Sequence, residues 1–439
     1  MLKHCRSHYG NRFTLRATGF PPLVFLSDAT DIKAMLLASN DTLRPGEGGE
    51  MIQPIVGEGS FMLHDGDQHR VERKAVLPAF HKRAVQRHTE LITRTVREEV
   101  VLWPLDSPIA LHPYLRAMTL RLVLRITFGF PGCVTDGRLD ALHHYLLRML
   151  SVTASPVFPE PLLRHGPGRV IWNRFLCDRA EVDALLRALV DERKGSEQDT
   201  SNVLADLLLM RNLDGSQMSP QQVRDNIMSI ILAGHETTAS QLAWAFQLLA
   251  HNPTAQAGLR AEIDRDDSEE YLTATIQEVM RHRPVFLFTI PRAVVKPVEI
   301  GEWTYRPPAR LLGCTYLLHH DPSIYPEPDR FHPERFLDTP PPPHLWLPWG
   351  GGRRRCPGLH MAMLEMKTVL RTVLSTATVL PAGKHLEHPR WRSVIVTPHA
   401  GARVVLRPRR RSAARFAAEA ATGGAQCGPA ASAGRTLPG

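Results

Sequence analysis

The segment from Ser219 to Pro253 predicts one unusually long helix. Ser219 and Gln222 have the spacing of a capping box, and Pro220 occupies the first helical position, which needs no N–H donor. Asn252 and Pro253 end the segment. The apolar positions between these ends are Val223, Ile227, Ile230, Ile231, Leu242, Phe246 and Leu249. At ~1.5 Å per residue the helix would be about 50 Å long, so the other elements must pack around it.

The centre of this helix, LAGHETTAS, is polar although its flanks are apolar. Ala233 and Gly234 are small, and Glu236 and Thr237 add an acid and an alcohol. A threonine hydroxyl can form a hydrogen bond to the carbonyl one turn earlier and bend the helix. The pattern fits a polar notch or a solvated face, but the apolar flanks favour a buried groove for a small ligand. Glu236 and Thr237 would then relay protons. The zinc motif H-E-x-x-H is excluded because residue 239 is Ala239.

A second pattern pairs Glu278 with Arg281 in the segment EVMR. The two lie three residues apart on a helix predicted over Tyr271–Arg283, and therefore face the same way. Such pairs are common on surfaces, where they contribute little. Arg335 in PERF offers a second guanidinium. If Glu278 is buried between two guanidiniums, the three residues form a rigid clamp rather than a catalytic group.

Four basic residues are candidates for binding an anion. His69 and Arg73 lie four residues apart in DGDQHRVERK and share a helix face, although this spacing alone is also typical of a basic surface patch. Arg292 lies in IPRAV, and Arg354 lies two residues before Cys356. Together the four suit the dianionic edge of a ligand.

Cys356 has an unusual setting, LPWGGGRRRCPG. A phosphate-binding P-loop is disfavoured because no Gly-Lys-Ser/Thr follows the glycines. A lone cysteine before a helix meets the N–H groups and the positive dipole end of that helix, which stabilise a thiolate. The glycines let the backbone approach a flat ligand and donate N–H bonds to sulfur. An anionic sulfur held in this way is suited to bind a haem iron.

Composition and charge exclude several classes of protein. The net charge is +9, but from Arg407 onward six arginines and one glutamate supply +5, so the body is too weakly basic to indicate nucleic-acid binding. No run approaches the ~18 apolar residues that span a bilayer, and the start lacks the apolar core of a signal peptide. We therefore expect a cytoplasmic protein. The six cysteines show no C-x-x-C spacing, which disfavours a structural zinc site or a thioredoxin-type motif.

The chain as a whole predicts a mainly α fold with small β-sheets. Helical periodicity dominates from about residue 67 to residue 336. RFTLR and PLVFL predict a hairpin near the start, and short strands are predicted at TIPRAVV, VEIGEWTY, RSVIVTP and ARVVLRP. We expect one body over residues 1–407, followed by a basic Ala/Gly-rich tail, 408–439, that is disordered.

Four motifs coincide, and together they resemble those of the cytochrome P-450 family of haem-thiolate monooxygenases. WGGGRRRCPG resembles F-x-x-G-x-[RH]-x-C-x-G, and AGHETT resembles A-G-x-[DE]-T-[TS]. EVMR matches E-x-x-R with PERF as its third member, and HRVER resembles H-x-x-x-R. The order and spacing agree from about Tyr9 to Arg407. Trp349 stands where phenylalanine is usual, Glu236 replaces the commoner aspartate, and His235 has no role in the family pattern.

The resemblance implies the cytochrome P-450 fold, with its long central helix crossing over a haem b group. It implies that Cys356 is the proximal ligand of the iron. The other implied site residues are His69, Arg73, Arg292 and Arg354 at the haem propionates, Gly352 and Gly358 in the cysteine loop, Ala233 and Gly234 beside the oxygen, Glu236 and Thr237 in proton delivery, and Glu278, Arg281 and Arg335 as the structural clamp.

The resemblance also implies an activity, namely insertion of one oxygen atom from O2 into a lipophilic small molecule by hydroxylation or epoxidation. Electrons would come from a partner such as an acidic ferredoxin with its reductase, because the sequence has no flavin or nicotinamide fingerprint. A peroxide-driven or rearranging enzyme of the same fold and a non-catalytic haem-binding protein are the alternatives. Retention of Glu236 and Thr237 favours oxygen activation. We expect Met51–Leu63 and Val285–Phe288 to contact the apolar substrate.

Overall fold

Helices make up most of the structure, a computed structural model that describes residues 1–17, 20–129, 137–152, 168–194, 202–337, 341–392 and 394–409. Its α-helices are α1 (Leu2–Tyr9), α2 (Ala29–Leu37), α3 (Pro45–Gly48), α4 (Gln53–Val56), α5 (Gly66–Phe80), α6 (Lys82–Gln86), α7 (Thr89–Val100), α8 (Leu111–Phe128), α9 (Gly137–Val152), α10 (Arg169–Lys194), α11 (Val203–Leu209), α12 (Pro220–His251), α13 (Pro253–Arg265), α14 (Glu270–His282), α15 (Thr315–His319) and α16 (Leu359–Thr376). Turns of 3-10 helix cover Glu50–Ile52, Pro333–Phe336 and Gly352–Arg354.

Twelve strands pair into small sheets in the described residues. They are β1 (Arg12–Leu15), β2 (Leu23–Leu26), β3 (Leu43–Arg44), β4 (Pro108–Ala110), β5 (Arg292–Val294), β6 (Val298–Ile300), β7 (Trp303–Tyr305), β8 (Arg310–Gly313), β9 (Ala377–Pro381), β10 (Pro389–Arg392), β11 (Ile395–Pro398) and β12 (Arg403–Pro408). One five-stranded sheet has the order β1-β2-β8-β5-β3, in which only β2 and β8 are parallel. The others are β4-β12-β9, β10-β11 and β6-β7. The mainly α fold with small sheets is therefore confirmed.

The predicted long helix is α12, which at ~1.5 Å per residue is about 48 Å long. Its capping box is formed: the Ser219 hydroxyl accepts from the Gln222 N–H at 3.2 Å, and the Gln222 side chain accepts from the Ser219 N–H at 2.8 Å. The main apolar core lies where α8, α14 and α16 pack against α12. Trp244 and Phe246 of α12 are fully buried in it.

The first turns of α12 also fix the loop that precedes α5. Asp225 accepts a hydrogen bond from the Gly59 N–H at 2.9 Å, and Asn226 accepts one from the Phe61 N–H at 3.0 Å. The hydroxyls of Ser60 and Ser229 lie 2.6 Å apart. Most of these side chains are buried, so the loop is tied to the long helix rather than left as a free surface segment.

The hairpin predicted near the start is present, but a helix that the sequence did not predict precedes it. α1 buries none of its residues, which explains why it lacks an apolar pattern. Two ion pairs attach it to the body instead: Lys3 lies 2.7 Å from Asp329, and Arg6 binds Asp321. No helix of the described residues is long and apolar enough to cross a membrane.

The end of the body lies slightly beyond the predicted boundary at residue 407. β12 continues through Pro408, and the Arg409 N–H donates to the Thr376 carbonyl at 2.9 Å. The Arg409 guanidinium forms two hydrogen bonds to Asp264, at 2.9 and 2.5 Å. Residues 410–439, which hold the rest of the predicted disordered tail, lie outside the described residues.

We therefore expect Arg409→Ala to lower the free energy of unfolding by about 1 kcal/mol, because Asp264 loses a partly exposed bidentate partner. Urea-induced unfolding measures this change. Deletion of residues 410–439 is the control and should alter stability by less than ~0.5 kcal/mol. A larger loss from the deletion than from Arg409→Ala would contradict the assignment of the boundary.

Candidate functional site

The cysteine segment folds back on itself immediately before α16. The Cys356 N–H donates to the Trp349 carbonyl at 2.8 Å, and the Gly350 N–H donates to the Leu347 carbonyl at 3.0 Å. Gly352 has φ +63°, and a Cβ at this position would lie 2.3 Å from the Leu36 carbonyl oxygen of α2. Only glycine fits there, so the loop can pack directly against α2 with Cys356 at its end.

The environment of the Cys356 sulfur combines opposing effects on its pKa. Burial raises the pKa of the thiol, whereas the Gly358 N–H and the charges of Arg73 and Arg355 lower it; the net shift is upward. The predicted helix-end stabilisation is therefore present, but in the protein alone burial outweighs it. A metal cation on the sulfur would supply the missing positive charge and hold the group as a thiolate.

Basic residues from three elements lie near this loop: His69 and Arg73 on α5, Arg292 at the start of β5, and Arg354 in the 3-10 turn. Burial, followed by the charges of Arg354 and Arg73, lowers the pKa of His69 to about 3. Burial, followed by the charge of Arg354, lowers the pKa of Arg292 to about 10. The positive groups are thus close enough to repel one another.

Arg292 is almost fully buried, and its guanidinium forms no hydrogen bond or salt bridge in the part of the chain that the structure describes; the Asp65 carboxylate acts on it only at longer range. Arg354 differs from it, because its guanidinium donates to Asp65 at 2.8 Å, to the Met62 carbonyl at 3.1 Å and to the His64 carbonyl. Arg354 therefore anchors the 62–65 loop to the cysteine segment. A buried guanidinium without a bonded carboxylate fits a site for an anionic group, such as a haem propionate.

The centre of α12 is more accessible than its flanks. Ala233 is exposed although most of the helix around it is buried, and Gly234 and Thr237 are partly exposed on the same stretch. The Thr237 hydroxyl donates to the Ala233 carbonyl at 2.6 Å, which is the bond back by one turn. Ala233, Gly234 and Thr237 therefore leave an accessible stretch in the middle of a mostly buried helix, with a hydroxyl beside it.

Glu236 lies at the centre of a cluster of basic groups. Its Oε2 lies 2.6 Å from Arg116 Nε and its Oε1 lies 2.9 Å from Arg392 Nε. His112 Nε2 lies 3.4 Å from Oε1, and His235 Nε2 lies 3.6 Å from Oε2. Burial raises the pKa of Glu236, but the charges of Arg116, His235, Arg392 and His112 more than reverse this effect and lower the pKa to about 2. The carboxylate therefore remains ionised at neutral pH.

Sequence reasoning did not predict the partners of Glu236. His112 and Arg116 lie four residues apart on α8, with the same H-x-x-x-R spacing as His69 and Arg73, so the signal was present in HPYLR. Arg392, in PRWRSV, carries no comparable pattern. His235, for which we assigned no role, is fully buried, and its Nδ1 lies 3.3 Å from the Thr119 hydroxyl of α8.

The structure brings Glu278, Arg281 and Arg335 together in a buried cluster. Arg281 donates two hydrogen bonds to Glu278, at 2.7 and 2.8 Å, and Arg335 Nε lies 3.2 Å from the same carboxylate. Arg281 also donates to the carbonyls of His319 and Pro328, at 2.8 and 2.9 Å. The cluster therefore joins α14 to α15 and to the meander that leads towards the cysteine loop.

His319 continues this connection. Its Nε2 accepts a hydrogen bond from the Leu347 N–H at 2.9 Å, three residues before the loop turns at Gly350. Burial, followed by the charges of His320 and Arg281, lowers the pKa of His319 well below its ordinary value. The imidazole is therefore neutral, as an acceptor must be.

Comparisons with known proteins identify the family to which this fold belongs. The family model described as Cytochrome P450 matches residues 1–405. The chain therefore belongs to the cytochrome P450 family, whose members bind haem iron and act in general as monooxygenases of lipophilic molecules supplied with electrons by a redox partner.

Two curated relatives come from Mycobacterium tuberculosis. The protein provisionally named cytochrome P450 135B1 is 32% identical over 99% of this chain and 93% of its own length. The protein provisionally named cytochrome P450 137 is 32% identical over 93% of this chain and 86% of its own length. A solved structure of cyanobacterial CYP120A1 with bound retinoic acid has a TM-score of 0.82 at 21% identity and covers 93% of this chain and 94% of that one. The last similarity supports the fold alone.

We expect Glu278→Ala to lower the free energy of unfolding by about 3–5 kcal/mol, because two buried guanidiniums lose their counter-charge. Urea-induced unfolding measures this loss. Glu327→Ala, which removes an exposed partner of Arg330, is the matched control and should cost less than ~0.5 kcal/mol. Similar losses for the two variants would show that burial of the clamp does not contribute to stability.

Proposed function

We propose that this chain is a haem b monooxygenase that inserts one oxygen atom from O2 into a lipophilic small molecule, with electrons from a ferredoxin. The observation that carries the proposal is the buried, unpaired Arg292 in a basic cluster next to the cysteine loop, because this arrangement fits the propionate edge of a haem held by Cys356. Retention of the acid and the alcohol at Glu236 and Thr237 supports oxygen activation rather than simple haem storage.

Each side chain of the proposed site has a distinct task. Cys356 would hold the iron through its sulfur, and Gly358 would leave space for the porphyrin beside that sulfur. Gly352 would instead hold the loop against α2, because the Leu36 carbonyl leaves no room for a side chain there. His69, Arg73 and Arg292 would bind the propionates. Arg354 would contribute mainly by fixing the 62–65 loop, because its terminal nitrogens are already bonded to that loop. When bound, haem with a thiolate ligand supplies the reductive activation of O2.

On the side of the proposed haem away from Cys356, side chains at the centre of α12 would control the supply of protons. The Thr237 hydroxyl donates to the Ala233 carbonyl, which leaves its oxygen free to accept from a water molecule. Glu236 is ionised, so it would pass protons through water at its carboxylate oxygens rather than store one. Its two oxygens lie 2.6 Å from Arg116 Nε and 2.9 Å from Arg392 Nε, so these two guanidiniums would hold the carboxylate in place.

The proposed substrate is apolar because the two predicted contact segments expose apolar surface. Met51 is half exposed and Phe286 is more than one-third exposed. Phe288 stacks on Trp391 with ring centroids 6.1 Å apart, and it meets Phe25 edge-on at 5.0 Å. Such surfaces suit a fatty acid, terpenoid, steroid or polyketide. Screening these classes for compounds that change the spin state of the iron would identify the substrate.

We expect Cys356→Ala to abolish the thiolate-type spectrum, because alanine offers no ligand to the iron. The measurement is the absorption of the haem-loaded, reduced protein under carbon monoxide, in which the wild type should show the strongly red-shifted Soret band of a thiolate-ligated centre. Cys177→Ala, which removes an exposed thiol on α10, is the control and should keep that band. A red-shifted band that survives Cys356→Ala would refute the proposed ligand.

The proposed ferredoxin site is the exposed basic face around the cysteine loop, formed by Lys74, Lys82, Arg83, Arg353 and Arg355 on contacting elements. We expect reduction by an acidic ferredoxin to slow severalfold between about 0.05 and about 0.5 M salt, because attraction between exposed charges is screened. Stopped-flow reduction under carbon monoxide measures the rate. At low salt, Arg353→Glu should slow reduction to a similar degree, whereas Arg187→Glu on α10 should not. Equal rates for the two variants would contradict the proposed ferredoxin site.

Turnover separates this proposal from its two alternatives. A monooxygenase consumes NADPH through the ferredoxin system and forms an oxygenated product that carries label from O2. A peroxide-driven or rearranging enzyme forms product without the reductant, and a non-catalytic haem protein shows ligand binding without product in either assay.

A further inference from the structure

The partners of Glu236 come from two different parts of the fold. His112 and Arg116 belong to α8, and His235 belongs to α12 itself. Arg392 is the last residue of β10, so among the described residues it is the partner that comes from outside the helical core. Because Glu236 has partners on the helices and on the hairpin, its surroundings depend on how the β10–β11 hairpin packs against α12.

The contact between α8 and α12 is fixed by several bonds. The Thr119 hydroxyl donates to the His235 carbonyl at 3.0 Å, and His112 Nε2 lies 3.1 Å from the Ser240 hydroxyl. Arg116 Nε donates to Glu236 at 2.6 Å. The side chains of His112 and His235 are almost completely buried. This half of the cluster cannot shift without disturbing the main core.

The hairpin that carries Arg392 also forms part of the proposed substrate pocket. Neighbouring residues of a strand point to opposite sides, so Trp391 and Arg392 face different partners. Trp391 stacks on Phe288 and is 48% exposed. The Val396 N–H of β11 donates to the Val285 carbonyl at 2.9 Å. One short hairpin thus connects the Val285–Phe288 segment to the acid.

The contact of Arg392 with Glu236 is an ion pair without an aligned hydrogen bond. Arg392 Nε and Glu236 Oε1 lie 2.9 Å apart, yet both are buried atoms without a hydrogen-bond partner in the described part of the chain. Arg116 Nε, by contrast, makes an aligned bond to the same carboxylate. A small movement of the hairpin would therefore change the Arg392 contact while leaving the Arg116 contact in place.

We propose that Arg392 is a positioning residue that couples the filling of the apolar pocket beside Phe288 and Trp391 to the setting of the Glu236 carboxylate. A ligand that packs on Trp391 fixes the hairpin, and the hairpin then holds the guanidinium against Glu236. The Glu236 carboxylate therefore takes the position in which it serves proton delivery when the pocket is occupied. This inference rests on the proposed function, because it assigns a regulation of the same site.

A double-mutant cycle on ligand binding tests this coupling without turnover. The full-length protein loaded with haem is titrated with N-dodecylimidazole, whose imidazole coordinates the iron and whose alkyl chain fills the apolar pocket; imidazole alone is the reference ligand. The shift of the Soret band measures both affinities. The variants are Arg392→Gln, Glu236→Gln and the double variant. Arg390→Gln removes an exposed guanidinium from the same strand and is the matched control.

We expect Arg392→Gln to weaken N-dodecylimidazole binding about fivefold in the wild-type background and less than about twofold in the Glu236→Gln background. The affinity for imidazole and the behaviour of Arg390→Gln should not change. Arg392→Met keeps the length of the side chain without its charge and must give the same non-additivity, which guards against misfolding of the glutamine variant. Trp391→Ala should likewise remove the effect of Arg392→Gln.

Equal losses in both backgrounds would overturn the inference, because Arg392 would then act on the pocket without Glu236. An unchanged affinity for N-dodecylimidazole in Arg392→Gln would overturn it as well. Failure of the haem site on which the proposed function rests looks different: the wild-type protein would then show no azole-induced Soret shift at all. A normal shift with an additive cycle therefore rejects the coupling alone.

Discussion

The buried carboxylate of Glu278 organises a large part of this molecule. It fixes Arg281 and Arg335, and Arg281 then uses its remaining nitrogen, Nη1, to hold the carbonyls of α15 and the meander. His319 passes this constraint on to Leu347, which begins the turn that ends at Cys356. A charge pair inside the core thus fixes the position of a sulfur atom several elements away. Because a buried ion pair adds little stability over apolar packing, the main effect of this one is to fix the positions of the groups that it binds.

Charge is arranged in opposite ways on the two sides of the proposed haem site. Around the cysteine loop, buried cations outnumber their carboxylate partners, and Arg292 forms no salt bridge among the described residues. At the centre of α12 a single carboxylate, Glu236, is surrounded by basic groups from two parts of the fold. Burial strengthens both effects because charges interact more strongly away from water. One side is therefore suited to receive an anion, and the other keeps its own anion ionised.

The sequence predicted those features that depend on local patterns. The capping box at Ser219, the long helix and the E-x-x-R pair are read from spacing, and the structure contains each of them. α1 could not be predicted, because it is held by ion pairs with Asp321 and Asp329, more than 300 residues away in the sequence. Arg392 was missed for the same reason: its partner Glu236 is distant in the chain.

The pKa shifts also could not be predicted from the sequence. Proximity of Cys356 to a helix start correctly indicated N–H donors near the sulfur, but the effect of burial depends on the full packing around it. Likewise, Glu236 was expected to take part in proton delivery, but only its guanidinium neighbours in the structure show that its pKa is lowered, so that the carboxyl group is ionised at neutral pH.

The hydrogen bond from Leu347 to His319 has a consequence for the behaviour of this protein in acid. An imidazolium has no lone pair left, so this bond exists only while the ring carries a single proton on its nitrogens. In the unfolded chain the ring regains an ordinary pKa near 6.5, so protons favour unfolding as the pH falls below that value. The position of the turn that leads to Cys356 thus depends on a neutral His319 ring. Protonation of that ring in acid would weaken the support of the proposed haem ligand from the side away from the haem.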